Sequence, residues 1–123
     1  MKVVETTKAP SAIGPYSQAV VTGGFIFTSG QIPLVPETGL IVEGGIKEQT
    51  EQVIKNIKAI LLSAGSSIEK VIKTTCYLKN IDDFSDFNSV YSQHFISKPA
   101  RSCVEVAAIP KNALVEIEVV AEI

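Results

Sequence analysis

The segment IKEQTEQVIKNIKAILLSAG, residues 46–65, carries apolar side chains at helical spacing on one side only. Lysines and glutamates occupy the opposite side, and Gly65 follows the last apolar residue, where a helix commonly ends. A helix with one apolar stripe must bury that stripe against a second layer of structure. The segment therefore predicts a layered domain with this helix on its surface. The stripe consists of Ile46, Val53, Ile54, Ile57, Leu61 and Ala64.

Segments with alternating apolar and polar residues flank this helix and predict strands. Residues 19–28 form two β-rich runs separated by Gly23-Gly24, which is a strong hairpin signal. Strands are also predicted within 71–79, 99–110 and 114–123, because alternation is the period of a half-buried strand. A second helix is predicted to begin after Asp82 or Asp83. Its apolar face consists of Phe84, Phe87, Tyr91 and Phe95, with Asn88 close to the edge.

The order of these elements predicts the fold class. Two strands, and optionally a third, precede the first helix; a strand, the second helix and two strands follow it. Sheet on one side and helices on the other make a two-layer α+β sandwich. A length of 123 residues, with glycine and proline spread along the chain, indicates one domain over 1–123.

The sheet face away from the helices is predicted to be a subunit interface. It is too polar for a monomer core, whereas 46% hydrophobic residues is high for so small a domain. This mixture of charged, polar and small apolar residues suits a wet interface between copies of the chain. The residues assigned to this face are Lys73, Tyr77, Arg101, Cys103, Glu105, Glu116 and Glu118.

Charge and composition exclude several classes of protein. A net charge of −2 and a pI near 5.4 do not indicate the basic surface that is typical of nucleic-acid-binding proteins. No run approaches the ~20 apolar residues of a membrane span, and the N-terminus lacks a signal-peptide apolar region. A cytoplasmic location is therefore expected. Two cysteines and one histidine argue against a disulfide framework, a zinc site and a serine-histidine triad.

The strand PARSCVEVAAIP, residues 99–110, places a guanidinium and a thiol on the same face. Arg101 can grip a carboxylate with two parallel hydrogen bonds. From the residues alone, a structural ion pair with Glu105 or Glu118 is the favoured interpretation, because most arginines are structural. Cys103 lies beside any ligand of Arg101, and a nearby cation lowers a thiol pKa. The favoured interpretation of Cys103 is a small apolar residue lining a pocket.

Glu116 on the last strand is a candidate to orient a water molecule or accept its proton, if partial burial adjusts its pKa. The alternative is an interface carboxylate in a salt bridge. A hairpin between the last two strands would pair Glu116 with Ala107 and leave Arg101 ~20 Å away. A ligand shared by both groups therefore requires that the last strand insert elsewhere, or that a second subunit supply one group.

Three further residues could contact a small ligand. Tyr16 follows Gly14-Pro15, and a rigid turn could direct its ring over a ligand, although core packing is the simpler interpretation. The backbone at Ser29-Gly30 could approach a ligand closely because glycine has no side chain. His94, between Tyr91 and Phe95 on the helix, is interpreted as a surface or packed residue and not as a proton shuttle.

Several stretches together resemble the RidA (YjgF-type) family of reactive-intermediate deaminases. The resemblance covers nearly the whole chain, and PARSCVEV and VEIE are its most specific parts. The stretches are AIGPYSQAV (12–20), TSGQIP (28–33), GGIKEQTEQVIKNIKAIL (44–61), VIKTTCYL (71–78), DFNSVYSQHF (86–95), PARSCVEVAAIP (99–110) and VEIEVVA (115–121).

The resemblance implies a chorismate-mutase-like fold with a mixed sheet, assembled as a homotrimer with its sheets inward and active sites between subunits. It implies hydrolysis of 2-iminopropanoate and 2-iminobutanoate to 2-oxo acids and ammonia, without a metal or an organic cofactor. Arg101 matches the arginine that holds the substrate carboxylate, and Glu116 the acid associated with the hydrolytic water. The cleft-lining positions match Tyr16, Ser29, Gly30, Phe84, Asn88 and Cys103.

Two other functions remain open on the sequence. The same cleft could serve a small-carboxylate-binding or chaperone-like stress protein. Ribonuclease or translation-inhibitor activity is also ascribed to parts of this family. The acidic pI, the lack of a basic stripe and the single histidine argue against RNA cleavage.

Overall fold

A computed structural model describes the whole chain, residues 1–123, as a six-stranded sheet with two helices on one face. Short 3₁₀ turns precede β4, α2 and β6. The strands are β1 (Lys2–Val4), β2 (Ala19–Thr22), β3 (Phe25–Thr28), β4 (Val71–Leu78), β5 (Ala100–Glu105) and β6 (Val115–Glu122), and the helices are α1 (Ile46–Ser63) and α2 (Phe84–His94).

The sheet is mixed, with strand order β1-β2-β3-β6-β4-β5. β5 runs parallel to β4, with α2 as the crossover between them, and every other pair is antiparallel. The predicted α+β class, with both helices on one face, is confirmed. Of the alternatives left open for the last strand, insertion elsewhere in the sheet is the one observed: β6 lies between β3 and β4, whereas β5 occupies the far side of β4.

The predicted hairpin at Gly23-Gly24 is confirmed, whereas the first strand, β1, was not predicted. β2 and β3 pair around Gly23 and Gly24, whose φ angles of 59° and 83° favour glycine. β1 adds to the outer edge of β2. At three residues it is too short to display an alternating pattern.

The predicted stripe of α1 forms the centre of the core. Val53, Ile54, Ile57 and Leu61 are fully buried against the sheet. Four polar side chains of the same helix are also buried, and two of them are hydrogen-bonded to a loop backbone. Asn56 Nδ2 donates to the carbonyl of Leu34 at 2.9 Å, and Gln49 Oε1 accepts from the amide of Leu114 at 2.8 Å. No helix here combines the length and apolar character needed to cross a membrane.

The alternation predicted for β5 is correct, but the face assigned to its residues is wrong. Residues paired in register share a face, and Arg101 pairs with Thr74 while Cys103 pairs with the buried Cys76. Arg101, Cys103 and Glu105 therefore lie on the helix side of the sheet. Lys73, Tyr77, Glu116 and Glu118 lie on the open side, as predicted. β5 is an edge strand whose helix side is only partly covered, so polar residues are tolerated there.

The buried stripe of α1 leads to a stability prediction. Replacing Ile54, which is fully buried, with alanine should lower the free energy of unfolding by about 2–5 kcal/mol, because the substitution leaves a cavity in the core. Leu62 on the same helix is 68% exposed, and Leu62→Ala should change it by about 0.5 kcal/mol or less. Urea unfolding of both variants measures the difference, and equal losses would contradict this packing.

Candidate active site

The predicted site residues separate into two groups on opposite faces of the sheet. The arginine group lies at the edge strand β5 and under α2, on the helix side. The glutamate group lies on the open side, where the loop after β3 runs beside β6. The arginine group is Arg101, Cys103, Phe84 and Asn88, and the glutamate group is Glu116, Gly30, Ser29 and Tyr16.

Arg101 is held by an amide and two aromatic rings, and by no carboxylate. Its Nη1 donates to Asn88 Oδ1 at 2.8 Å. Its guanidinium carbon lies 4.7 Å from the ring centroid of Tyr91 and 5.5 Å from that of Phe84. The ion pairs considered from the sequence are absent, since Glu105 accepts from a backbone amide and Glu118 from a tyrosine hydroxyl. The positive charge is therefore free to bind an anion.

The spacing of residues along α2 explains how the arginine is positioned. Phe84, Asn88 and Tyr91 are four and three residues apart, so they face the same side of the helix. The hydroxyl of Tyr91 hydrogen-bonds to Thr74 on β4 at 2.7 Å, and its ring stacks on Phe95 at 4.3 Å. These contacts fix the position of the Tyr91 ring, against which the guanidinium packs. The groove above it is lined by Asn88, Tyr91, Ser92, Phe95, Ile96, Lys98, Pro99 and Arg101.

Cys103 and Cys76 form a pair of free thiols on neighbouring strands. Cys103 is half-buried, whereas Cys76 is fully buried with Thr74 Oγ1 and the Cys103 sulfur as possible acceptors for its S–H. A hydrogen bond from Cys76 and the charge of Arg101 lower the pKa of Cys103 from 9.0 to about 7, against the effect of burial. The bond to Cys103 and burial raise the pKa of Cys76. Cys103 is thus the ionisable thiol of the two.

The glutamate group is assembled by the chain segment that follows β3. Backbone hydrogen bonds of 2.8 and 3.1 Å join Gln31 to Ile117 and bring Gly30 against Glu116. A Cβ atom at Gly30 would lie 2.8 Å from the Glu116 carboxylate, so a larger residue there would displace that side chain from its present position. The hydroxyl of Ser29 donates to the carbonyl of Ser17 at 2.6 Å, which fixes the segment next to Tyr16. Tyr16 is 53% exposed and does not pack in the core.

Glu116 has a raised pKa. Half of the side chain is removed from water, and burial disfavours its charged form. The negative charge of Glu118, two residues away on the same face, raises the pKa further. No ion pair neutralises Glu116, so the salt-bridge alternative is not found within one chain. A carboxylate with a raised pKa is a better proton acceptor than an ordinary one.

The two groups do not meet within one chain. Glu116 pairs with Tyr77, which in turn pairs with Val104, so Glu116 is two strands away from Arg101 and three residues along. With ~4.8 Å between strands and ~3.3 Å per residue, that is about 10 Å in each direction. The side chains also point to opposite faces. A ligand that contacts both must lie between two copies of the chain.

Sequence reasoning missed Tyr91 and Cys76 as parts of this site. Tyr91 was placed on the helix face with Phe84, but contact with Arg101 depends on where α2 crosses β5. The pairing of Cys76 with Cys103 depends on the register of β4 and β5, for which the sequence carried no signal. No three His, Cys, Asp or Glu side chains converge closely enough to hold a metal ion.

Comparisons with known proteins agree over the whole chain. The endoribonuclease L-PSP family profile matches residues 6–123. A RutC family protein of Pyrococcus abyssi is 58% identical over 121 residues, covering 98% of this chain and 95% of that protein. The human 2-iminobutanoate/2-iminopropanoate deaminase is 48% identical over 121 residues, covering 98% and 88%. The crystal structure of E. coli TdcF with bound serine superposes with a TM-score of 0.95 at 43% identity, covering 100% and 99%.

The thiol pair leads to a prediction about alkylation. The rate at which iodoacetamide labels Cys103 should reach half of its maximum near pH 7, because the pKa of that thiol is about 7. Cys76→Ala should move this midpoint to higher pH, since the hydrogen-bond donor is lost, whereas Cys76→Ser keeps a donor. Peptide mass spectrometry across a pH series measures both. A midpoint near pH 9 in the unmodified chain, or no shift in Cys76→Ala, would contradict the pairing.

Proposed function

Because this chain belongs to the RidA-type members of the endoribonuclease L-PSP family, we propose that it hydrolyses reactive 2-imino acids to 2-oxo acids and ammonia. The proposed substrates are 2-iminopropanoate and 2-iminobutanoate, which PLP-dependent dehydratases release. Their removal would protect PLP enzymes from enamine and imine damage. The observation that carries this proposal is the guanidinium of Arg101, held over two rings and free of any carboxylate.

The proposal places each active site between two subunits of a homotrimer. The arginine group of one subunit would face the glutamate group of its neighbour, because the two groups of one chain lie on opposite faces. The open sheet face supports this assembly, since it carries apolar side chains among its polar ones. Phe27, Ile72 and Val104 are each at least 40% exposed in the single chain.

In the proposed mechanism Arg101 binds the substrate carboxylate with two hydrogen bonds, and Asn88 keeps the guanidinium oriented. The protonated imine is electrophilic at C2. Glu116 of the neighbour orients a water molecule and accepts one of its protons as the oxygen adds to C2. Glu116 returns that proton to the nitrogen and then takes the remaining hydroxyl proton as the C–N bond breaks, which yields the 2-oxo acid and ammonia. This last proton then passes to ammonia to give ammonium. The imine already reacts with water unaided, so holding the substrate and the water in position supplies most of the rate enhancement.

The remaining residues are proposed to shape the cleft. Gly30 borders the cleft and leaves room for the Glu116 carboxylate, and Tyr16 and Phe84 cover the substrate from opposite subunits. Cys103 lies two residues from Arg101 on the same face and borders the carboxylate end. Ser29 fixes the turn that carries Gly30. None of these roles requires a metal or an organic cofactor.

RNA cleavage, which the family name suggests, has less support. The net charge is −2, and Arg101 is the only charged group of the arginine group. A role in binding small carboxylates without turnover would use the same guanidinium. Turnover measurements separate this role from hydrolysis.

Loss of either group should abolish imine hydrolysis. Arg101→Ala removes the carboxylate anchor and Glu116→Gln removes the base, and each should lower kcat/KM by about 100-fold or more. A dehydratase generates the imine from threonine, semicarbazide traps what escapes, and the rate of 2-oxobutanoate formation is measured. Glu122→Gln, an exposed carboxylate on the same strand, is the matched control and should keep normal activity. Near-normal turnover in Arg101→Ala would overturn the proposal.

Mixing the two inactive variants tests where the site lies. When Arg101→Ala and Glu116→Gln chains are unfolded together and refolded at equal amounts, about a quarter of the clefts should combine an intact arginine with an intact glutamate. Activity near a quarter of that of the unmodified protein is therefore expected. If the mixture stays as inactive as its components while each variant alone remains a trimer, the site is not shared between subunits.

The raised pKa of Glu116 predicts a pH dependence. Glu116 must be ionised to act as a base, so kcat/KM should fall as the pH falls through its raised pKa. Glu118→Gln removes a like charge and lowers the pKa of Glu116, so the fall should occur at lower pH. A pH profile of the imine assay measures this shift, with Glu122→Gln as the variant expected to show none. An unchanged profile in Glu118→Gln would contradict the coupling.

A further inference from the structure

Three titratable side chains form a continuous chain on the outer surface of the two helices, away from the site described above. Lys58 Nζ lies 2.9 Å from His94 Nδ1, and His94 Nε2 lies 2.9 Å from Glu51 Oε2. Glu51 and Lys58 are seven residues apart on α1, and His94 is the last residue of α2. An amine, an imidazole and a carboxylate are thus aligned in the order of a nucleophile, a base and the group that orients the base.

The hydrogen-bond pattern determines which protons the ring carries. A lysine ammonium can only donate, so His94 Nδ1 accepts from it and Nε2–H donates to Glu51. His94 Nδ1 is thus the nearest group that can accept a proton from Nζ when the amine reacts, and Glu51 lies where it would stabilise the imidazolium that forms.

The surroundings of Lys58 leave its amine accessible and unpaired with any acid. Lys58 is half-buried and forms no salt bridge, whereas the carboxylate of Glu51 is engaged by the imidazole. The lysine borders a groove of about 640 Å³ between α1 and α2, which has room for a small reagent. The residues of this groove with acidic or basic side chains are Glu43, Lys47, Glu48, Glu51, Lys55, Lys58 and His94.

We propose that Lys58 is an acylation site for small activated acyl donors, namely acyl phosphates and acyl thioesters. In this step Nζ attacks the carbonyl carbon, the C–O or C–S bond breaks, and phosphate or a thiol leaves. An ammonium loses two protons on the way to the amide: one passes to His94 Nδ1 before Nζ attacks and then to solvent, and the second leaves with the departing phosphate or thiolate. The product is an amide at Lys58 without a positive charge, which can no longer donate as an ammonium to His94.

A mass-spectrometric competition within one molecule tests the proposal. The full chain is incubated with acetyl phosphate, and acetylation of each lysine peptide is followed with time. Lys55, one turn away on the same helix and exposed, is the internal control because no imidazole contacts it. Lys58 should be acetylated about ten times faster than Lys55. The same preference is expected with the uncharged donor N-hydroxysuccinimidyl acetate, since the amine is activated irrespective of the leaving group.

Two variants distinguish activation of the Lys58 amine by His94 from a purely structural role in which the three side chains only join α1 to α2. His94→Gln keeps a hydrogen-bond donor and acceptor but cannot take up a proton, so the ratio of Lys58 to Lys55 acetylation should fall to near one. Glu51→Gln removes the charge that stabilises the imidazolium and should lower the ratio several-fold. Circular dichroism checks that both variants are folded. The proposal would be overturned if the two lysines of the unmodified chain were acetylated equally, or if the preference for Lys58 were seen only with acetyl phosphate. It would also be overturned if the ratio were unchanged in either variant.

Discussion

The insertion of β6 between β3 and β4 is the constraint on which the arrangement of this molecule depends. The last strand pairs with β4 over Val115–Ala121 and, through its final residues, with Phe25–Phe27 of β3, so it occupies the middle of the sheet. Its inward residues complete the core under α1, and its outward residues include both Glu116 and Glu118. The same insertion brings the loop after β3 beside Glu116, and it leaves β5 with β4 as its sole neighbour.

The position of β5 follows from the crossover through α2. Because β5 is parallel to β4, the chain must return over the sheet, and α2 makes that return on the face that α1 already covers. The helix therefore lies above the start of β5. This placement, and not any local preference of the PARSCVEV segment, supplies the rings and the amide that hold Arg101.

Periodicity predicted the local elements, whereas the arrangement of the site needed tertiary information. Alternation in PARSCVEV correctly showed that Arg101 and Cys103 share a face, but it could not show which face, since that depends on register with β4. A hairpin between the last two strands would separate Arg101 from Glu116 along the strand. In the observed order β6 inserts instead, and the two groups are still apart because they lie on opposite faces of the sheet. Contacts such as Arg101 with Tyr91 depend on the crossing of α2 over β5.

The division of the two groups between faces has an electrostatic consequence. Were Arg101 and Glu116 within reach of each other in one chain, they would form an ion pair, which would occupy the guanidinium and lower the pKa of the carboxyl. The intervening sheet prevents this, so one group keeps an unpaired positive charge and the other keeps a raised pKa. Covering the open face with a second subunit would remove more water from Glu116 and raise its pKa further. Separation by the sheet thus keeps both the unpaired guanidinium and the raised carboxyl pKa, which are the properties that the proposed roles of the two groups require.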